Sequence, residues 1–129
     1  MAFSALQIKK RILVIEDDHD VGQSLRDVLE SDGYQVFLAR NGLEALNMLG
    51  KMDPPNLIFL DMMMPVMDGF TFRAKQQSDP ALSKIPLVVM SAHVQQKDTD
   101  NLKHFGNPVF LRKPMDVDTI LLVAKQNCS

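Results

Sequence analysis

The chain has 129 residues, the length of a single domain. Hydrophobic residues make up 46% of it and charged residues 23%, so it can bury a core and disorder is excluded. The formal charge of −2 argues against nucleic acid and anionic membranes as partners, and the single cysteine excludes a disulfide framework. No apolar run approaches the roughly 18 residues of a membrane span, and no signal peptide is recognisable. These features predict a cytoplasmic domain.

Two hydrophobic periodicities alternate along the chain. Short continuous apolar runs are typical of strands buried on both faces, and five of them occur in chain order, at Ile12–Ile15, Gln35–Ala39, Leu57–Leu60, Leu87–Met90 and Val109–Leu111. Apolar residues at helical spacing predict a helix after each of the first, second, third and fifth strands. Three of these helices carry Val21, Leu25, Val28 and Leu29; Leu43, Leu46 and Leu49; and Val117, Ile120, Leu121 and Ala124, while the remaining one is predicted at Phe70–Gln77.

Acidic residues and glycines mark the predicted helix ends. Asp18, Asp68 and Asp116 stand where a helix is expected to begin, and a carboxylate there can cap the free N–H groups of the first turn. Gly33 is well placed to end the first helix. On the last helix, Leu122 and Val123 are predicted to lie off the core-facing stripe, exposed for a partner.

The segment Val94–Phe105 has the weakest pattern of the chain. Its apolar residues are sparse, and Gln, Lys and Asp dominate it. We predict a short, polar and marginally stable fourth helix there.

Five strands that alternate with five helices predict an α/β fold with a parallel sheet, because each connection must cross a face of the sheet. The expected product is a doubly wound, three-layer arrangement. In such sheets, ligands bind beyond the carboxyl ends of the strands. The residues at those ends are therefore the candidate site.

Four of the strand ends carry polar residues. The first strand is followed by Glu16 and Asp17, the third by Asp61, the fourth by Ser91 and the fifth by Lys113. Two unit charges ~4 Å apart repel by roughly 4 kcal/mol at an effective dielectric of 20, so clustered carboxylates shift their pKa values or recruit a cation. Oxygen ligands with open positions suit Mg²⁺. A metal, a lysine and a hydroxyl together suit a phosphoryl group, which a carboxylate can accept covalently.

Four segments resemble the receiver domain of bacterial response regulators, which has the chemotaxis-type (CheY-like) fold. They are ILVIEDD (Ile12–Asp18), LIFLDMMMPVMDG (Leu57–Gly69), IPLVVMSA (Ile85–Ala92) and VFLRKP (Val109–Pro114). The separations of 44 residues from Asp17 to Asp61, 30 from Asp61 to Ser91 and 52 from Asp61 to Lys113 also agree with that family. The resemblance implies a flavodoxin-like three-layer sandwich with strand order 2-1-3-4-5 and five helices. We expect one receiver domain over residues 1–129, with a core at about 11–126 and no effector domain in this chain. The sequence leaves open whether it is a stand-alone regulator or the receiver of a longer protein.

The resemblance assigns a role to each candidate residue. It implies that Asp61 is the phosphoacceptor and that Ser91 hydrogen-bonds the phosphoryl oxygens. It implies that Lys113 pairs with the phosphate or, before phosphorylation, with Asp61. The Lys113–Pro114 bond is expected to be cis. Phe110 is implied as a switch residue that alternates between exposed and buried rotamers.

The implied cofactor is Mg²⁺. Its implied ligands are Asp17, Asp61 and the main-chain carbonyl of Met63, with Glu16 helping through water. The Met63 side chain offers no hydrogen bond to an attacking water, so we expect self-dephosphorylation to be slow or moderate. For His93 the sequence leaves two alternatives, an exposed loop position and a position beside the phosphate.

The function implied is that of a signalling module and not of an enzyme. A histidine kinase or a histidine phosphotransfer protein would donate the phosphoryl group. The face formed by the fourth helix, the fifth strand and the last helix would then engage a downstream protein or a second copy of the chain. Neither nucleic acid nor a membrane is an expected partner.

One alternative is a degenerate receiver that acts as an unphosphorylated scaffold. Another is an aspartate-nucleophile phosphohydrolase, which is disfavoured because Met63 stands where such enzymes usually carry a second aspartate.

Overall fold

The computed structural model describes residues 9–64, 66–92 and 108–128. These residues form five strands and four helices, which alternate along the chain except that no described helix lies between the fourth and fifth strands. The bounds are β1 Arg11–Ile15, α1 His19–Ser31, β2 Gln35–Ala39, α2 Gly42–Leu49, β3 Leu57–Asp61, α3 Gly69–Ser78, β4 Leu87–Ser91, β5 Val109–Arg112 and α4 Val117–Asn127. All five predicted strands are present and differ from the predicted bounds by at most one residue at either end. The predicted helix at Val94–Phe105 lies outside the described residues.

The five strands form one parallel sheet in the order β2-β1-β3-β4-β5. This confirms the predicted doubly wound α/β fold. The order reverses beside β1, since the chain first moves outward to β2 and then returns across β1 to β3. Ligands bind at such a reversal in open α/β sheets, beyond the carboxyl ends of the strands.

Side chains alternate along each strand and fill two separate cores. On β1, Leu13 and Ile15 join the core that contains Phe72 of α3, whereas Ile12 and Val14 join the core that contains Leu25 of α1. The sheet is therefore covered on both faces, which explains why its strands are continuous apolar runs without polar alternation.

Polar side chains cap each described helix at its start. Asp18 accepts hydrogen bonds from the backbone of Asp20 and Val21, and Asp68 and Asp116 each accept one from the residue three positions later. These three caps confirm the sequence prediction. Asn41 provides the corresponding cap of α2. The α1 helix ends just before Gly33, whose φ of 93° is readily adopted only by glycine.

The orientation of α4 differs from the prediction. Leu122 is 55% exposed as predicted, but Val123 is only 8% exposed and packs in the core with Ile120 and Ala124. Val117, predicted to face the core, is 53% exposed. The stripe that meets the sheet is thus 120, 123 and 124, because the helix is rotated so that position 123 faces the core more closely than position 121.

A buried polar cluster joins α3 to the segment that leads into β4. The Gln76 side chain is fully buried and donates to the carbonyl oxygens of Leu82 (3.0 Å) and Ile85 (3.2 Å). Its own oxygen accepts a 2.8 Å hydrogen bond from the buried guanidinium of Arg73. Gln76 therefore satisfies the buried carbonyl groups before β4, and its burial is compensated by hydrogen bonds.

Among the described helices, none combines the length and the apolar character needed to cross a membrane.

Candidate functional site

The carboxyl ends of the strands hold the predicted site residues through backbone hydrogen bonds. Glu16 N–H donates to the carbonyl of Ala39 at 2.9 Å, which continues the β1–β2 ladder past the end of β1. Lys113 N–H donates to the carbonyl of Ser91, also at 2.9 Å, so the residue after β5 is fixed to the end of β4. Asp61 is the last residue of β3 and stands opposite Met90 in the register. The sheet therefore brings these separated segments to one edge.

Lys113 bridges two buried carboxylates at this edge. Its Nζ lies 2.7 Å from Glu16 Oε2 and 3.3 Å from Asp61 Oδ2. The side chains of Glu16 and Asp61 are 1% and 5% exposed, and that of Lys113 is 19% exposed. The second oxygen of Glu16 accepts a 3.2 Å hydrogen bond from Asp18 N–H. Both oxygens of Glu16 thus have partners within the protein.

The pKa values of the pair reflect their burial and their neighbours. Burial is the largest cause that raises the pKa of Glu16, and the negative charge of Asp61 adds to it. Lys113 and the Asp18 N–H oppose these effects only in part, so the pKa of Glu16 is about 7. Burial alone would lower the pKa of Lys113, but the hydrogen bonds and charges of Glu16 and Asp61 outweigh burial and raise it. One ammonium group therefore does not fully compensate the acidic residues around it.

The acidic residues also form a group that could hold a metal ion. Glu16, Asp17 and Asp61 each offer a carboxylate oxygen, and these oxygens lie within 4.8 Å of one another. Asp17 is exposed, whereas the other two are buried. The donor set consists of oxygen only, and the charge of these acids exceeds that of Lys113, so it fits a hard divalent cation such as Mg²⁺.

Three consecutive methionines follow Asp61 and lie in different environments. Met62 and Met64 are 6% and 9% exposed and belong to the core, whereas Met63 is 66% exposed. Met63 N–H donates to Asp61 Oδ1 at 3.1 Å. The two oxygens of Asp61 thus have different partners, a backbone N–H on one side and the Lys113 ammonium on the other.

Gly69, the first residue of α3, lies against the backbone of the segment that follows Asp61. Its N–H donates to the carbonyl of Met62 at 3.3 Å. A Cβ atom at this position would lie 2.5 Å from Met62 Sδ, 2.9 Å from Met62 Cα and 3.1 Å from the Asp61 carbonyl oxygen. Only glycine lets α3 begin this close to the backbone of the candidate phosphoacceptor.

The remaining predicted residues lie near this edge or outside the described part of the chain. Ser91 ends β4 and is 2% exposed. Phe110, in β5, is half-buried and packs against the core on the α3 side of the sheet. The Lys113–Pro114 peptide bond is cis, as expected. His93 lies outside the described residues.

One relationship in the site was not predicted from the sequence. Lys113 was expected to pair with Asp61, and the structure adds a closer partner, Glu16. The only sequence feature that pointed to this contact was the length of the Glu16 side chain, which reaches further than that of Asp17. The sequence separation of 97 residues hides this contact from any local pattern.

The fold is a doubly wound α/β domain whose carboxyl-end edge holds an acidic cluster that could bind a cation, with a half-buried lysine beside it. Residues 12–125 match the response regulator receiver domain family, and the chain belongs to that family. This confirms the resemblance found in the sequence motifs.

Curated relatives agree with this assignment. The chain is 33% identical over 113 residues to a probable transcriptional regulator, ycf29, of Pyropia yezoensis, covering 88% of this chain and 50% of that protein. It therefore spans half the length of that relative. It is also 28% identical over 116 residues to the polar-differentiation response regulator DivK of Brucella anthropi, covering 90% and 94% of the two chains.

Solved structures show the same fold. The chemotaxis protein CheY4 of Vibrio cholerae superposes with a TM-score of 0.87 at 25% identity, covering 93% of this chain and 99% of that one. The signal receiver domain of a signal transduction histidine kinase from Syntrophus aciditrophicus gives a TM-score of 0.85 at 29% identity, covering 92% and 89%. Receiver domains are signalling modules that typically bind Mg²⁺ and interact with histidine kinases and effectors.

Proposed function

We propose that this chain is a phosphoacceptor receiver that takes a phosphoryl group on Asp61. One observation carries the proposal: the buried Asp61 carboxylate lies 3.3 Å from the Lys113 ammonium and within 4.8 Å of oxygens of Glu16 and Asp17. Burying a carboxylate is costly unless it is paired. Its burial beside an ammonium group and two further acids supports a chemical role for Asp61. Glu16, Asp17, Asp61 and the Met63 carbonyl would hold Mg²⁺.

The donor is a phosphohistidine of a histidine kinase or of a histidine phosphotransfer protein. An Asp61 oxygen attacks phosphorus, the P–N bond breaks, and its electron pair returns to the imidazole ring. Lys113 then pairs with the phosphoryl oxygens, and Ser91 donates a hydrogen bond to them. When bound, Mg²⁺ supplies positive charge that offsets the phosphoryl oxygens during transfer.

An apolar groove supports approach of the donor beside Lys113. It lies between α1 and the start of α4, has a volume of about 510 Å³, and is lined by residues that include Val21, Leu25, Met115 and Ile120. Lys113 also lines it, so the groove is continuous with the candidate site. A helix that carries the phosphohistidine could bury an apolar face there.

Phosphorylation would shift the equilibrium between two conformations of the chain. Movement of Ser91 and Lys113 toward the phosphoryl group makes room for Phe110, whose half-buried side chain suits a rotamer switch. In the described part of the chain, β5 and α4 form the face that would respond; the predicted fourth helix lies outside the described residues. The exposed Leu122 of α4 supports contact with a downstream partner or with a second copy of the chain. The chain would thus act in the cytoplasm as a signalling module and not as an enzyme, with at most slow self-dephosphorylation.

Incubation with acetyl phosphate and Mg²⁺ tests the proposal. We expect the intact mass to rise by one phosphoryl group, which hydroxylamine releases because the linkage is an acyl phosphate. The Asp61→Asn variant should gain none. Asp53→Asn, which changes an exposed aspartate in the loop before β3, should be modified like the wild type.

Other outcomes of this experiment point elsewhere. Uptake that persists in Asp61→Asn would move the acceptor to another residue. If the wild type takes up no phosphoryl group, either from acetyl phosphate or from a phosphorylated histidine kinase, the degenerate scaffold is favoured. Continuous release of inorganic phosphate at a high rate would favour a phosphohydrolase.

A further inference from the structure

Met63 is the most exposed methionine in the part of the chain that the structure describes. It is 66% exposed, whereas Met62, Met64 and Met90 are buried. The other described methionines, Met48, Met52, Met67 and Met115, are partly buried. Oxidation of a thioether requires contact with the oxidant, so exposure of the sulfur favours Met63 over the rest.

The exposed side chain belongs to the residue that contacts the candidate phosphoacceptor directly. Met63 N–H donates to Asp61 Oδ1 at 3.1 Å. Met62 and Met64 are anchored in the core on either side, which fixes the backbone at Met63. A chemical change of this side chain therefore occurs on a residue whose backbone is hydrogen-bonded to the Asp61 carboxylate.

We propose that Met63 is an oxidation site for hydroperoxides and that its sulfoxide shortens the lifetime of the acyl phosphate on Asp61. The effect on lifetime rests on the proposed function, whereas the oxidation itself does not. The reaction transfers one oxygen atom from the peroxide to the thioether sulfur. The O–O bond breaks and an S–O bond forms, so sulfur loses two electrons and hydrogen peroxide is reduced to water.

The direction of the effect follows from hydrogen bonding. A thioether is a weak acceptor, whereas the sulfoxide oxygen is polar and accepts hydrogen bonds well. On the residue whose N–H contacts Asp61, a sulfoxide oxygen would be within side-chain reach of a water that attacks the phosphorus and could accept a hydrogen bond from it. That water forms the new P–O bond, the bond to Asp61 breaks, and the carboxylate and inorganic phosphate are released. Orienting the attacking water accelerates this hydrolysis.

The single cysteine competes poorly for the oxidant. Cys128 is half-buried, and burial raises the pKa of its thiol. Little reactive thiolate is therefore present near neutral pH. Met63 remains the most accessible reducing side chain among the described residues.

Limited treatment of the unphosphorylated chain with hydrogen peroxide, followed by peptide mass mapping, tests the oxidation. We expect sulfoxide to accumulate at Met63 several times faster than at any other methionine between residues 9 and 128. Equal or faster oxidation at Met67 or Met115 would overturn the inference.

Decay of the phosphorylated chain tests the effect on lifetime. Oxidised wild type should lose phosphate about threefold faster or more than the reduced wild type, as one added hydrogen bond allows. Methionine sulfoxide reductase should restore the slower decay. The Met63→Leu variant should decay equally fast with and without peroxide treatment, whereas the matched Met67→Leu variant should respond as the wild type does.

The results separate the two proposals. Suppose that the chain is phosphorylated on Asp61 and yet loses phosphate at the same rate after full oxidation of Met63. In that case the lifetime effect is wrong and the proposed function stands. An equal response in Met63→Leu would assign the effect to another residue and overturn the inference. If the chain accepts no phosphoryl group, the proposed function fails, and the lifetime effect fails with it.

Discussion

Lys113 forms its shorter ion pair with Glu16, at 2.7 Å, and its longer one with Asp61, at 3.3 Å. One ammonium thus serves two buried carboxylates, and the exposed Asp17 adds a third negative charge nearby. The arrangement leaves more acid than base at the edge of the sheet. A divalent cation bound by this cluster would share the same two carboxylates with the lysine, and the two positive charges would oppose each other electrostatically.

Removing the lysine should therefore strengthen metal binding. We expect Lys113→Met to bind Mg²⁺ about tenfold more tightly or better than the wild type, because a like charge is removed from beside the cation. Isothermal titration calorimetry gives the affinity directly. Lys84→Met, which removes an exposed lysine outside the site, should leave the affinity unchanged. Unchanged or weaker binding in Lys113→Met would contradict this electrostatic account.

The pKa of Glu16 predicts a pH-dependent stability in the absence of metal. Its pKa is about 7 in the folded chain and 4.5 when unperturbed, so between these pH values the folded chain holds a proton that the unfolded chain has lost. The free energy of unfolding should thus fall across this window relative to that of Glu16→Gln, by up to about 3 kcal/mol. Chemical denaturation in EDTA at pH 5 and pH 8 measures the difference.

Two controls accompany this comparison. Glu30→Gln, which changes an exposed glutamate of α1, should show no such pH-dependent difference from the wild type. Saturating Mg²⁺ at pH 8 should stabilise the wild type more than Glu16→Gln, because the cation replaces the proton. A constant difference between Glu16→Gln and the wild type at both pH values would show that Glu16 does not titrate in this window.

The close approach at Gly69 predicts a specific cost for a single methyl group. We expect Gly69→Ala to lower the free energy of unfolding by about 1–3 kcal/mol, because the added Cβ would meet backbone atoms that cannot move independently. Phosphorylation of Asp61 should slow as well, since the loop after Asp61 must shift. Gly50→Ala provides the matched control: Gly50 has a φ of −73°, and its Cβ would meet only ordinary contacts. That variant should be neutral or slightly stabilised.

The buried cluster around Gln76 predicts a large effect away from the site. Gln76→Leu keeps the side-chain size but removes two donors to backbone carbonyls and the acceptor of an Arg73 hydrogen bond. We expect a loss of about 2–4 kcal/mol in the free energy of unfolding. Gln77→Leu, at the adjacent exposed position, should stay within about 0.5 kcal/mol of the wild type. Similar stability of the two variants would mean that the cluster contributes little.

Local patterns in the sequence were sufficient for the elements and for the composition of the site. The five strands are short apolar runs, and Asp18, Asp68 and Asp116 mark helix starts, because burial on two faces and capping are properties of a few adjacent residues. Parallel pairing then places all strand ends at one edge. For this reason the meeting of Glu16, Asp17, Asp61 and Lys113 could be expected before the structure was known.

The tertiary structure alone decided which of these groups touch and how each element faces its neighbours. The rotation of α4 buries Val123 instead of exposing it, because packing against the sheet selects one of several apolar stripes. The closer approach of Lys113 to Glu16 than to Asp61, and the cluster of Arg73 with Gln76, depend on distances of a few tenths of an ångström between side chains. Such distances arise only when the whole core is packed, so spacing along the chain could name the partners but not their pairing.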